Sequence, residues 1–221
     1  MPYSFRLLGS RDLPAIVDHL LGLDRDDRVL RFSNPAPDGA IRDYCSRWHF
    51  GRDVVMGAFE GDRLVGLIHL PVYDEPTGTV GEIGVSVAAD WRSRGIATQI
   101  AARVVLRARR LGLARVYIHF LTRNRPMGLL ARAFTDDVTV DEDESHARIT
   151  LAGDAIRRAV RLLRLGDARC GTGSPTMPGG AQRRIDAPAR HPHEVRHAPR
   201  AAAPKARQPQ EADAALVGAD D

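Results

Sequence analysis

The stretch Gly81–Ala97, GEIGVSVAADWRSRGIA, constrains this chain more than any other segment. Ile83, Val85 and Val87 alternate with Glu82, Gly84 and Ser86, the period-2 pattern of a strand. A short polar turn, 88–94, leads to Gly95, and Ile96, Ile100, Val104 and Val105 then recur at helical spacing. A strand that passes through a glycine turn into a helix N-terminus forms an anion site. The first N–H groups of the helix have no internal partner, and its dipole favours negative charge there. Gly95 lets the main chain approach a bulky phosphate, and Ala97 keeps the next turn narrow.

The hexamer Arg92-x-x-Gly95-x-Ala97 is short, and it recurs at Arg109-x-x-Gly112-x-Ala114. The second copy follows a helical pattern and precedes a strand pattern, the wrong order for binding phosphate. Context therefore decides between them.

With 221 residues, 43% of them hydrophobic, the chain can form one domain with a real core and a tail. The net charge is +4, and Lys205 is the only lysine, so arginine carries the basicity. Acids are interleaved with those arginines, which argues against a nucleic-acid stripe. Cys45 and Cys170 lie far apart without metal-ligand spacing, so neither a zinc site nor a disulfide framework is expected. No leader pattern or apolar span is present, which points to a cytoplasmic protein without a membrane partner. Oligomeric state is left open between monomer and homodimer.

In chain order, Phe5–Leu8 reads as a strand. Leu13, Ile16, Val17, Leu20 and Leu21 mark a helix ended by Gly22. Asp24–Phe32 reads as a polar connector. A second helix runs from Asp38 to about Trp48, with Ile41, Tyr44, Cys45 and Trp48 on one face. Val54–Phe59 and Leu64–Val72 form a hairpin around Gly61, Asp74–Gly78 is a turn, and Val80–Val87 is a third antiparallel strand. The helix from Ile96 to Leu111 and the strand Val116–Phe120 complete a βαβ crossover. Asn124–Phe134 is a short helix, and Val138–Val140 and Ala147–Leu151 are a closing hairpin.

Domain boundaries follow: 1–153 a folded domain, 154–165 an amphipathic helix, 166–221 a Pro/Ala/Arg-rich tail expected to be disordered. His191, His193 and His197 cluster in that tail, and no metal site is expected of them.

This order of elements, with the glycine turn between the fourth strand and third helix, resembles the GNAT N-acetyltransferase family over Phe5–Leu151. Arg92-x-x-Gly95-x-Ala97 matches the family's Arg/Gln-x-x-Gly-x-Gly/Ala motif. Asn124 follows the fifth strand, where the family often has an Asn, and NRPMGLLA is similar to its fourth helix. The resemblance implies an α/β (α+β) fold: a central mixed, mostly antiparallel sheet flanked by helices. It also implies acetyl-CoA as acyl-donor substrate and transfer to a primary amine, of a small molecule or a peptide, by direct attack in a ternary complex.

By position, backbone groups of Val85, Ser86 and Val87 would hold pantetheine and the acyl carbonyl. Arg92, Ser93, Arg94, Gly95, Ile96, Ala97 and Thr98 would cradle the pyrophosphate, and Asn124 would bond the pantetheine arm.

Glu82 is the first candidate for general base, with a strand-end carboxylate paired to arginine as the alternative. His119 is the second candidate, and Tyr73 a substrate contact. The acids Asp24, Asp26, Asp27, Asp38 and Asp43 either favour a cationic substrate or form a solvated loop. Many family members carry a general-acid Tyr seven residues after the Asn, and here that position is Ala131. The alternative function is therefore an inactive acyl-CoA-binding sensor or interaction module.

Overall fold

Val54–Glu60 (β2) and Arg63–Leu70 (β3) are buried along almost their whole length, as in a sheet covered on both faces. Ser4–Leu7 (β1) pairs antiparallel with β2. The computed structural model describes residues 3–170. After Pro71 the chain continues as Val72–Glu75 (β4), which forms a hairpin with Gly78–Glu82 (β5), and after Ile83 as Gly84–Val87 (β6). β4 pairs with β5 and β3 with β6 in one unbroken antiparallel register, Val72 opposite Gly81 and His69 opposite Gly84. Pro71 has no N–H, so the ladder lacks a bond at that point.

On its other side β5 runs parallel to Arg115–Leu121 (β7). β7 pairs with Glu144–Thr150 (β9), and β9 with Val138–Asp141 (β8). The parallel pairing stops at Glu82–Tyr117, with a last bond from the Ile83 N–H to the Tyr117 carbonyl at 2.8 Å. Beyond it β6 stays with β3 and β7 with β9, so the two strands part. The expected single antiparallel strand Val80–Val87 is thus two strands, one parallel to β7, and of the expected turn at Asp74–Gly78, Asp74 and Glu75 belong to β4 and Gly78 to β5.

Leu13–Leu21 (α1), Arg25–Phe32 (α2) and Asp38–Ser46 (α3) cover one sheet face, with Ile16, Leu20, Ile41, Cys45 and Trp48 packed on Val55, Phe59 and Leu67. Ile96–Arg110 (α4), Arg125–Arg132 (α5) and Gly153–Cys170 (α6) cover the other. A Cβ at Gly66 would fall 2.7 Å from the Ile96 side chain, so glycine on β3 is what seats α4.

The sequence pattern of 24–32 misleads, because these residues form the helix α2. The Asp24 carboxylate caps it by accepting the Asp27 N–H at 2.8 Å. Arg28 ties it down by donating to the carbonyls of Leu21, Leu23 and Ala36.

The last helix runs on to Cys170, beyond the expected end at 165. Residues 171–221, with most of the expected tail and its three histidines, lie outside the described residues. Among the described residues no helix is long and apolar enough to cross a membrane.

Candidate active site

The parting of β6 from β7 decides what the backbone can bind. In β6 the even positions pair with β3, consistent with the Glu82 N–H bonded to Pro71 O and the Ala88 N–H bonded to Val65 O. Antiparallel ladders alternate, so Val85 and Val87 turn their amide groups toward the gap. Their side chains pack on the α4 side of the sheet. Val87 O accepts from Arg92 Nε at 3.2 Å. Ser86 is committed elsewhere: its main chain pairs with Leu67, and its hydroxyl meets His19 Nε2 at 2.9 Å.

At the end of β6 the chain turns through Ser93 and Gly95, both with positive φ, 59° and 79°. Ser93 is held in a conformation that costs a non-glycine residue free energy, a feature that concentrates at ligand clamps. The first bond of α4 runs from the Gln99 N–H to Gly95 O. Among the described residues, the N–H groups of Ser93, Arg94, Gly95, Ile96, Ala97 and Thr98 have no backbone acceptor. A Cβ at Gly95 would meet open space.

The side chains of Arg92 and Arg94 are engaged within the protein. Arg92 pairs with Asp27 of α2, while Arg94 lies over Trp91 and donates to Asp90 O at 2.9 Å. The backbone of this turn, more than its arginines, is what stands free for an anion.

Glu82 and His119 come together across the point of parting, with His119 Nδ1 3.3 Å from Glu82 Oε1, both side chains half exposed. Partial burial raises the Glu82 carboxyl, but contact with His119 and the charges of His119 and Arg31 bring it below its ordinary value. The same contact, against a smaller opposing effect of burial, raises His119 above 6.5. Tyr117 stacks on the imidazole, and His146 of β9 meets it edge-on with centroids 4.7 Å apart. Tyr73, close by on β4, is pushed up to about 12 by burial and then by the charge of Glu82, so it stays a phenol.

The cavity in front of this pair, about 340 Å³, is lined by Arg31, Tyr44, Glu82, Gly84, Val85 and His119 among others. A larger one, about 520 Å³, lies by His19, Asp62, Arg63 and Asp90. There Arg63 is paired with Asp90, and His19 with Ser86 and Leu64 O.

Arg31 and Tyr44 escaped the sequence reading, as did Asp53 and His69 behind them. Arg31 Nη2 donates to Tyr44 Oη at 2.9 Å, Tyr44 Oη lies 2.9 Å from His69 Nδ1, and His69 Nε2 lies 2.9 Å from Asp53 Oδ2. His69 is nearly fully buried and stacks on Trp48. Burial lowers His69 below its ordinary value more than Asp53 raises it, which makes it a neutral imidazole. Asp53 is an ionised carboxylate, because His69 and two backbone N–H groups outweigh its burial. Hence His69 donates to Asp53 through Nε2 and accepts the Tyr44 hydroxyl proton at Nδ1, and the Tyr44 oxygen accepts from Arg31.

Asn124 caps α5, its Oδ1 accepting the Met127 N–H at 3.3 Å, so only its Nδ2 remains to donate. Ala131 is fully buried in the core.

A strand that leaves its parallel neighbour thus runs into a glycine turn with free N–H groups at a helix start. The sequence profile of the acetyltransferase (GNAT) family matches residues 23–134, and the chain belongs to that family. Solved structures agree in fold. The GNAT domain of S. lividans PAT is 18% identical, covers 66% of this chain and 89% of its own, and superposes with a TM-score of 0.58. The putative acetyltransferase yncA from Salmonella typhimurium, solved with its cofactor acetyl-CoA, is 14% identical over 69% of this chain and 96% of its own, TM-score 0.55. A ribosomal-protein-alanine N-acetyltransferase from Brucella melitensis is 15% identical over 66% and 99%, TM-score 0.54. No curated protein sequence matches the chain at a significant level.

Proposed function

We propose that the protein is an acetyl-CoA-dependent N-acetyltransferase that acetylates a primary amine with both substrates bound together. The observation that carries this is the parting of β6 and β7 in line with a free-amide turn, because one ligand with an extended amide arm and a pyrophosphate matches both. Val85 and Val87 would pair with the arm as an added strand does, and the N–H groups of 93–98 would take the pyrophosphate. The Asn124 Nδ2 is a further donor to the arm. Acetyl-CoA would supply an activated acyl thioester.

The chain's own groups do the rest. A protonated amine entering the cavity meets Glu82. Its proton passes to the Glu82–His119 couple, where His119 is the more basic member. The Val85 N–H, turned to the gap, stands ready for the negative charge that forms on the acyl oxygen. As the amide C–N bond forms, the thioester C–S bond would break and the sulfur would leave as the CoA thiolate, to which Ala131 has no proton to offer. Ala131 is also the observation that favours the alternative, an acyl-CoA-binding module without turnover.

Release of free CoA decides between them. Amine-dependent release by the full chain, lost in Glu82→Gln with acetyl-CoA binding retained, supports the enzyme. Acetyl-CoA binding with no release across a broad amine panel supports the module.

A further inference from the structure

None of the five acids that suggested a cationic substrate lines the cavity at Glu82 and His119, and three of them are engaged elsewhere. Asp24 caps α2, Asp27 pairs with Arg92, and Asp38 pairs with Arg28. The charge that does face the cavity beside Glu82 is positive. Arg31 donates one hydrogen bond, to the Tyr44 hydroxyl, and among the described residues it has no carboxylate within ion-pair distance. Its guanidinium lies against Gly84, where a Cβ would fall 2.5 Å from Arg31 Cζ.

The guanidinium is also held from behind. Asp53, His69 and Tyr44 form a buried relay whose last oxygen accepts from Arg31 Nη2. Cation–π contacts to Phe32 and Tyr44 fix the plane further. One nitrogen is committed to Tyr44, and the remaining N–H groups of a planar fork are left for a ligand. The chemistry that fits them is a carboxylate.

We infer that the acceptor is an amine that also carries a carboxylate, in the manner of a free amino acid, and that Arg31 receives this group while Glu82 faces the ammonium. This rests on the acetyl-transfer reading above. A zwitterion matches the two opposite charges, of Arg31 and Glu82, that line one cavity. The rest of the lining, Leu30, Phe32, Ile83, Phe120 and Met127, calls for an uncharged, apolar side chain. The phosphates of acetyl-CoA do not compete for Arg31, because the free N–H turn lies at the opposite end of β6, beyond Val87.

The test uses matched pairs that differ only in the carboxylate: L-leucine with 3-methylbutylamine, and L-phenylalanine with 2-phenylethylamine. Each is titrated calorimetrically into the full-length protein saturated with CoA, for the wild type, Arg31→Gln and Gly84→Ala. Melting curves confirm that both variants fold. The amino acid of at least one pair should bind ten-fold or more tighter than its amine. That advantage should vanish in Arg31→Gln and shrink in Gly84→Ala, whose methyl group displaces the guanidinium.

Equal binding within both pairs, no binding of any of the four, or an advantage that survives Arg31→Gln would each overturn the inference. CoA release from acetyl-CoA is measured alongside. Preferential amino-acid binding without release sinks the transfer reading and leaves the anion site standing. Release from the carboxylate-free amines at equal kcat/KM does the reverse.

Discussion

Glu82 alone is a poor base, because its carboxyl lies below its ordinary value, whereas His119 beside it is raised above 6.5. The two act as a couple, and the pH profile reads that couple. The proton-accepting form has His119 neutral, so kcat should rise with pH along a limb centred above pH 6.5. Glu82→Gln removes the contact that raises the imidazole. Its limb should move down toward 6.5, and kcat should fall by roughly 10²-fold or more. A limb that stays in place in this variant contradicts the coupling. At Gly84 the expected effect is on acceptor binding alone. A methyl group there meets the end of a flexible side chain, so Gly84→Ala should raise the acceptor KM with little change in melting temperature.

Two connections between elements hold the cleft in shape. The glycine turn joins β6 to α4, and its Gly95 sits at φ 79°. Gly95→Val should cost about 1–2 kcal/mol of stability through backbone strain. It should weaken acetyl-CoA binding by far more than that strain explains, because its side chain fills the open side of the turn. Equilibrium binding set against denaturant melts separates the two effects.

The second connection ties α1 to β6 through His19, which donates to Leu64 O and accepts from Ser86. Burial depresses His19 to about 4 from 6.5. Between those values the unfolded chain binds more protons than the folded one, so the contribution is complete above pH 6.5 and is lost as pH falls toward 4. The loss is about 3 kcal/mol. Urea melts should therefore show His19→Gln with a flatter dependence over that window than the wild type. Parallel curves would remove His19 from the account.

For the molecule as a whole, what could be read in the sequence was whatever repeats locally. The strand through Val85 and Val87, the helical stripe of α4 and the glycine between them need only short-range periodicity, and all three stand in the structure, while Ile83 falls at the break between β5 and β6. α2 was missed because its exposed face is charged and its apolar residues, Val29, Leu30 and Phe32, are too few to set a period. The Asp24 cap three residues before Asp27 was the signal available.

The parting of β6 from β7 depends on which strands pair, and a strand pattern cannot state its partners. The relay from Asp53 through His69 and Tyr44 to Arg31 was hidden for the same reason. Four residues from a loop, a strand and two helices meet only after folding, and Tyr44 in sequence is simply one member of an apolar stripe. Glu82 and His119 were named separately, but their contact follows from the parallel register of β5 with β7.

The central claim is that this cleft transfers an acetyl group to an amine. The direct measurement is the initial rate of free CoA release from acetyl-CoA by the full-length protein, with and without amines, for the wild type and Glu82→Gln. The account predicts amine-dependent release by the wild type and a fall of about 10² or more in the variant, with acetyl-CoA affinity unchanged. Tight acetyl-CoA binding without amine-dependent release, or full activity in Glu82→Gln, would contradict it.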